Sequence, residues 1–326
     1  MMEQKVFVTR NIPSPGIDLL KKHISRVDIF PYERPITKRE LLEVIENYNG
    51  LLCLLTDTVD ADVLKKGKNL KIVSNYAVGY NNIDIDTASR LNILVTNTPG
   101  ILTDATADLT WALILGTARR IREADTFTRE NKFNGWSPTL FLGLPVANKT
   151  LGIIGAGRIG TAVGIRACGF SMKILYTSNH TNSTLENKAN AKKVPLNTLL
   201  KKSDIISLHV PLTTQTVHMI GDKEFAIMKD SAIIINTSRG PVIDEEALVK
   251  ALKSGKIAGA GLDVYENEPV VEKELTELPN TLLLPHIGSA TGETREKMAA
   301  IAAENIIAAL SGKRPKYIVN PEVFRE

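Results

Sequence analysis

The sequence is poor in the features that mark several protein classes. It has two cysteines in 326 residues, Cys53 and Cys168. That excludes a disulfide scaffold, and their apolar surroundings predict buried free thiols in a reducing compartment. It has little excess charge: 40 Lys and Arg against 36 Asp and Glu leave +4. So small a surplus makes no electrostatic case for nucleic acid or an anionic membrane. It has no long apolar run either. The most apolar helical stretch, Leu109 to Ala118, spans ten residues, where a membrane helix needs about 20. The opening residues, Met1 to Val8, hold no signal-peptide core. Low-complexity segments and repeats with a period of about 20–50 residues are also missing. These absences lead us to expect a cytoplasmic protein with no metal site and no membrane or nucleic-acid partner.

What is present fits a globular chain. Hydrophobic residues make up 43% and charged residues 23%, which excludes a disordered chain. At about 100–200 residues per domain, the length predicts two domains.

Short β-type runs alternate with helical patterns. In the first third the runs are Lys5–Arg10, Val27–Tyr32, Gly50–Leu55, Lys71–Ala77 and Asn92–Asn97. Ser14-Pro15 reads as an N-cap followed by proline, and Thr37-x-x-Glu40 as a capping box. Residues Leu102 to about Lys132 read as one long helix, followed by a loop over Phe133–Lys149. Alternation then resumes with six runs: Thr150–Ile154, Lys173–Ser178, Asp204–Val210, Ala232–Thr237, Ala260–Val264 and Thr281–Leu284. A helix over Gly292 to about Leu310 closes the chain, with Met298, Ile301, Ile306 and Leu310 on its apolar face. This pattern predicts an α/β fold of two doubly wound parallel sheets, each covered on both faces.

The glycine pattern Gly155-x-Gly157-x-x-Gly160 lies between a β run and a helical one. That context suits a dinucleotide site. Gly155 permits the tight turn, Gly157 lets backbone approach a pyrophosphate, and Gly160 lets helix pack on strand. Together with Arg158 and Ile159, these residues place helix N–H groups against the pyrophosphate. The next strand should end at the ribose, where NAD enzymes carry Asp or Glu. Here Thr177, Ser178, Asn179 and His180 follow, with no carboxylate before Glu186. We therefore expect NADP(H) to be preferred, with NAD(H) possible.

Three later runs end in polar residues: Asn236-Thr-Ser-Arg239-Gly240, Asp263-Val-Tyr-Glu-Asn-Glu268-Pro269 and Pro285-His286-Ile-Gly288-Ser-Ala-Thr291. Strand carboxyl ends face the ligand crevice in a doubly wound sheet. Singly, Arg239 is an ordinary turn residue, Glu268 a solvated one and His286 a packed one. Beside a dinucleotide loop, the three together favour a functional reading.

In these motifs the chain resembles the D-isomer-specific 2-hydroxyacid dehydrogenases, most closely the glyoxylate/hydroxypyruvate reductases. Val78-Gly-Tyr-Asn-Asn-Ile-Asp84 resembles that family's substrate loop, and Thr96–Asp108 its lead into a long helix. The resemblance spans nearly the whole chain and implies hydride transfer from NAD(P)H to a short 2-keto acid. In it, Arg239 binds the substrate, His286 is the general acid and Glu268 orients the imidazole. Val78 and Gly79 N–H groups hold the carboxylate, and Leu54 walls the pocket. Thr106, Thr237 and Asp263 lie by the nicotinamide half, His209, Val210 and Pro211 by the adenosine, and Ser238, His286 and Gly288 also bind the cofactor. The resemblance gives His209 no catalytic role. It also implies a substrate domain of residues 1–100 and 288–326, a nucleotide domain of 101–287, and an active-site cleft between the two. A homodimer is expected through the nucleotide domains, with the long helix and Trp136, Leu140, Phe141, Leu142 and Leu144 as candidate contacts. The same residues packing the core is the other reading. Alternative functions are a D-lactate or 3-phosphoglycerate type of dehydrogenase, or a non-catalytic NAD(H)-sensing binding protein.

Overall fold

Parallel strands buried on both faces must be short continuous apolar runs, because neither side of the pleat meets water. That requirement accounts for the central strands of both sheets in the computed structural model, which describes residues 3–324. Met1, Met2, Arg325 and Glu326, the ends of the expected substrate domain and the start of the leader reading, lie outside the described residues. The chain divides into two compact units: residues up to Leu102 with those from Ser289 onward, and Thr103–Gly288.

The first unit holds β1 (Lys5–Val8), β2 (Arg26–Ile29), β3 (Gly50–Cys53), β4 (Ile72–Asn75) and β5 (Leu94–Thr96). They pair in the order β2-β1-β3-β4-β5, all parallel. Thr37 and Glu40 form the reciprocal capping box expected of them. The first helix differs: it runs Ser14–His23 with Pro13 at the N-cap, so Ser14 is its first residue. No side chain caps it, because the Pro13 side chain carries no acceptor and Pro15 has no N–H to be capped. The closing helix, Gly292–Leu310, packs on the first helix and on β3 and β4. It brings Met298, Ala299, Ala302 and Ile306 against Val6, Val8, Leu52 and Ile72.

The second unit holds β6 (Thr150–Ile154), β7 (Lys173–Thr177), β8 (Lys192–Lys193), β9 (Ile205–Leu208), β10 (Ile233–Asn236), β11 (Gly259–Leu262) and β12 (Thr281–Leu283). The order is β12-β11-β10-β9-β6-β7-β8, again parallel. The sheet thus has seven strands, not the six expected. β8 is two exposed lysines and carries no apolar signal.

Two further expectations are corrected. The single long helix is two, Thr103–Ala118 and Ile121–Arg129. They break at Arg120, whose φ of 54° is left-handed; its guanidinium pairs with Glu123 and lies over the Phe141 ring. The first of the two buries Trp111, Leu113 and Ile114, so its apolar residues pack the core. Cys53 is buried as expected, but Cys168 is exposed. It begins a 3-10 turn where the Arg158–Ala167 helix ends.

Gly16 and Ala299 make the tightest contact between the first and closing helices. A Cβ on Gly16 would stand 2.6 Å from the Ala299 carbonyl oxygen. Gly16→Ala should therefore destabilise the protein by about 1–3 kcal/mol, although alanine raises helix propensity by about 1 kcal/mol. Denaturant titration checks this, and a stabilised variant would refute the close approach.

Candidate active site

The order of the second sheet reverses beside β6, between β7 and β9. A crevice opens at such a point, outside the strands' carboxyl ends. Gly155 follows β6 there with φ 96°, and a Cβ on it would stand 2.7 Å from His209 C and Val210 N. The turn after β6 and the turn after β9 therefore touch, and only glycine fits. Gly160 is equally constrained, its would-be Cβ lying 2.2 Å from the Gly155 carbonyl oxygen. A Cβ on Gly157 meets nothing within 4 Å. Gly157 is the N-cap of the Arg158–Ala167 helix and supplies no side-chain cap. The first-turn N–H groups of Arg158, Ile159 and Gly160 are thus offered to a ligand. This cradle fits the pyrophosphate of a dinucleotide.

Farther along the crevice, Thr177, Ser178, Asn179 and His180 follow β7. The first carboxylate after them, Glu186, accepts from the hydroxyl of buried Tyr176 at 2.8 Å. Asn182 caps the next helix and reaches the Ala156 carbonyl at 2.8 Å. Pro211 follows His209 and Val210 at the end of β9. The His209 ring is enclosed, with Nε2 2.8 Å from Ser207 Oγ and Nδ1 unpartnered among the described residues. Burial pushes its pKa down to about 3, so it is neutral near pH 7.

The turns after β10, β11 and β12 bring together the three candidate side chains. Asn236 ends β10 and holds the first turn. Its Oδ1 accepts from Ser238 N and Oγ at 2.9 and 2.8 Å, and its Nδ2 donates to the Arg239 carbonyl at 2.9 Å. Burial lowers the Arg239 pKa from its ordinary value, and the Glu268 carboxylate opposes that shift. Gly240 is pressed against the second turn: a Cβ there would overlap Tyr265 C and O at 1.8 Å. Tyr265 N–H donates to Glu268 Oε1 at 3.0 Å, and its hydroxyl anchors on the Leu284 carbonyl at 2.9 Å. Glu268 Oε2 lies 2.8 Å from His286 Nδ1. Burial raises the Glu268 pKa, but the His286 bond and charge, Tyr265 N–H and Arg239 outweigh it and hold the carboxyl below its usual value. His286 sits at φ 55°. Asp263, which follows β11, fixes it there by accepting from Ile287 N and Gly288 N, each at 2.7 Å. Burial pushes the Asp263 pKa up. Thr106 lies beside Gly288, and Thr237 Oγ1 is 2.9 Å from Thr110 Oγ1.

The remaining predicted residues lie in the first unit. Leu54 follows β3; its N–H donates to Asp57 Oδ2 at 2.7 Å and its carbonyl accepts from Asn82 at 3.1 Å. The Val78 and Gly79 carbonyls accept from Asn97 at 2.7 Å and Asn75 at 2.8 Å. Their own N–H groups have no acceptor among the described residues, as an anion-binding turn requires. Sequence reading gave no role to Asn75, Asn82, Asn236 or Tyr265. For Asn75 and Asn236 a signal exists, an amide directly after buried strand residues.

Residues 111–288 match the family described as D-isomer specific 2-hydroxyacid dehydrogenase, NAD binding domain. The chain is 51% identical to the glyoxylate reductase of Thermococcus litoralis over 327 residues, covering 99% of this chain and 98% of that one. It is 50% identical to the glyoxylate reductase of Thermococcus gammatolerans over 328 residues, with the same coverage. Among solved structures it resembles a glyoxylate reductase from Paecilomyes thermophila, with TM-score 0.89, 34% identity and coverage of 99% and 100%. It also resembles an NADPH-dependent glyoxylate/hydroxypyruvate reductase from Sinorhizobium meliloti in complex with NADP and malonate, with TM-score 0.87, 29% identity and 99% of both chains covered. With a glycine cradle at the switch point and an Arg, Glu and His gathered at neighbouring strand ends, the chain belongs to the D-isomer-specific 2-hydroxyacid dehydrogenases, a family of oxidoreductases.

Proposed function

We propose that this enzyme reduces glyoxylate and hydroxypyruvate to glycolate and D-glycerate, using NADPH in preference to NADH. The observation that carries the reading is the His286–Glu268 pair at 2.8 Å with Arg239 charged beside it. The relatives named glyoxylate reductase, at about half identity over the full chain, support the substrate class. Gly155, Gly157, Arg158, Ile159 and Gly160 would hold the pyrophosphate, Thr177, Ser178 and Asn179 the ribose, and His209, Val210 and Pro211 the adenosine. Thr106, Thr237, Ser238, Asp263 and Gly288 would line the nicotinamide half. When bound, the reduced nicotinamide supplies the hydride.

The chain's own residues do the rest. Arg239 presents a planar fork that takes a carboxylate oxygen and the keto oxygen together. Val78 and Gly79 N–H groups bind the carboxylate, and Leu54 limits the size of the substituent. With Nδ1 given to Glu268, His286 keeps Nε2 for the substrate and delivers a proton to the keto oxygen as the carbonyl carbon is reduced. Glu268 fixes the ring and balances the charge Nε2 must carry before transfer. We place a homodimer in the same reading, supported by the exposure of Trp136, at 85%, and of Leu142; sedimentation at micromolar concentration tests it.

Three outcomes are expected. Loss of reduced-cofactor absorbance should be fast with glyoxylate and hydroxypyruvate and faster with NADPH than NADH. No turnover with either, or with pyruvate, while cofactor still binds, would refute the substrate reading and favour another 2-keto acid or a nucleotide-sensing role. His286→Ala should cut kcat by about 10²–10⁴-fold and leave cofactor affinity intact; near-normal turnover removes it from the acid role. Arg239→Lys should raise KM for the keto acid strongly, since an ammonium has no fork; an unchanged KM removes Arg239 from the substrate site.

A further inference from the structure

The ribose loop carries no acidic residue, yet no arginine stands within it to receive a phosphate. The strand that sequence reading missed supplies a cation. β8 pairs in parallel with β7, with Lys193 opposite Tyr176. From there the Lys193 side chain runs toward the carboxyl end of β7, and its Nζ donates to the Asn179 carbonyl at 3.2 Å. Asn179 is two residues beyond the end of β7, in the loop where the adenosine ribose of a doubly wound sheet is read. One of three ammonium donors is used, and Lys193 has no carboxylate partner among the described residues. Meanwhile Glu186 accepts from the Tyr176 hydroxyl and makes no ion pair with Lys193 among the described residues. Alternation along a strand points Lys192 to the other face.

We propose that Lys193 is the specificity-determining residue for the cofactor, binding the 2′-phosphate of NADPH with the donors left after its contact to Asn179. This rests on the cofactor preference proposed above. A lysine serves a phosphate as a point charge without needing a planar fork. A cation already tethered over the ribose loop loses little freedom on binding. The other reading of the contact is a brace for the loop, which would serve NADH and NADPH equally.

Equilibrium titration separates them. Wild type, Lys193→Met, Lys193→Arg and Lys192→Met are titrated with NADPH, NADH, 2′,5′-ADP and 5′-AMP. Lys193→Met should weaken NADPH and 2′,5′-ADP by about tenfold or more, the size of one hydrogen bond to a charged group. It should leave NADH and 5′-AMP within about twofold, because neither carries the 2′-phosphate. Lys193→Arg should retain the preference and Lys192→Met should match wild type. Raising the salt should narrow the wild-type difference. The proposal falls if Lys193→Met keeps the wild-type affinity for NADPH, or if NADH weakens equally. If wild type binds 2′,5′-ADP no better than 5′-AMP, the cofactor preference falls with it. Failure to reduce a keto acid would instead defeat the substrate reading and leave these binding differences standing.

Discussion

A single buried carboxylate sets the geometry on which the rest of the site depends. Asp263 accepts two backbone N–H groups, from Ile287 and Gly288. A buried carboxyl needs such partners, since without them desolvation is costly. The same bonds hold His286 in a left-handed conformation that a non-glycine residue keeps only where its surroundings over-determine it. The direction of the imidazole, and so its contact with Glu268, follows. The glutamate depends in turn on a bare α-carbon: Gly240 lets the Arg239 turn lie against the Tyr265 backbone, whose N–H holds Glu268. Arg239, Glu268 and His286 are thus each positioned by a turn whose backbone is held in place, and Glu268 and His286 then meet through their side chains.

The parts of the fold that sequence made plain are those with one dominant cause. Strands β6, β9 and β10 are apolar runs because burial on both faces allows little else. β8 has no such cause. Lys192 and Lys193 join the sheet because the backbone of β7 has an open edge. The break at Arg120 was equally hidden, since no glycine or proline marks it. Glu123 and Phe141 hold the arginine in a turn that its own propensity disfavours. Cys168 was misplaced because an apolar neighbourhood in sequence says little about a residue at the end of a helix. In the site, Arg239, Glu268 and His286 were legible as polar residues closing apolar runs. Asn82 was not, because an amide that bonds to nearby backbone looks like any turn residue, and Asn75 and Asn236 carried only the signal of an amide closing a buried strand.

Those amides share one device. Asn75 and Asn97 take up the carbonyls of Gly79 and Val78, and Asn236 takes up that of Arg239. Each satisfies an acceptor beside a group that the proposed reading assigns to substrate, and so leaves the neighbouring donors free of that acceptor. Donors fixed in advance need no rearrangement when charge arrives.

The first unit is built from both ends of the sequence, and this has a bearing on synthesis. On the ribosome, the residues of β1 to β5 emerge well before the Gly292–Leu310 helix that covers one face of their sheet. Until then Val6, Val8, Leu52 and Ile72 lack their partners on that helix, and the Ser74 hydroxyl lacks the Ala302 carbonyl it finally bonds. The unit between the two segments, by contrast, is translated as one uninterrupted stretch and has its own core. The nascent chain therefore completes its nucleotide unit first, and carries an unfinished apolar face until the last turns of the closing helix leave the exit tunnel.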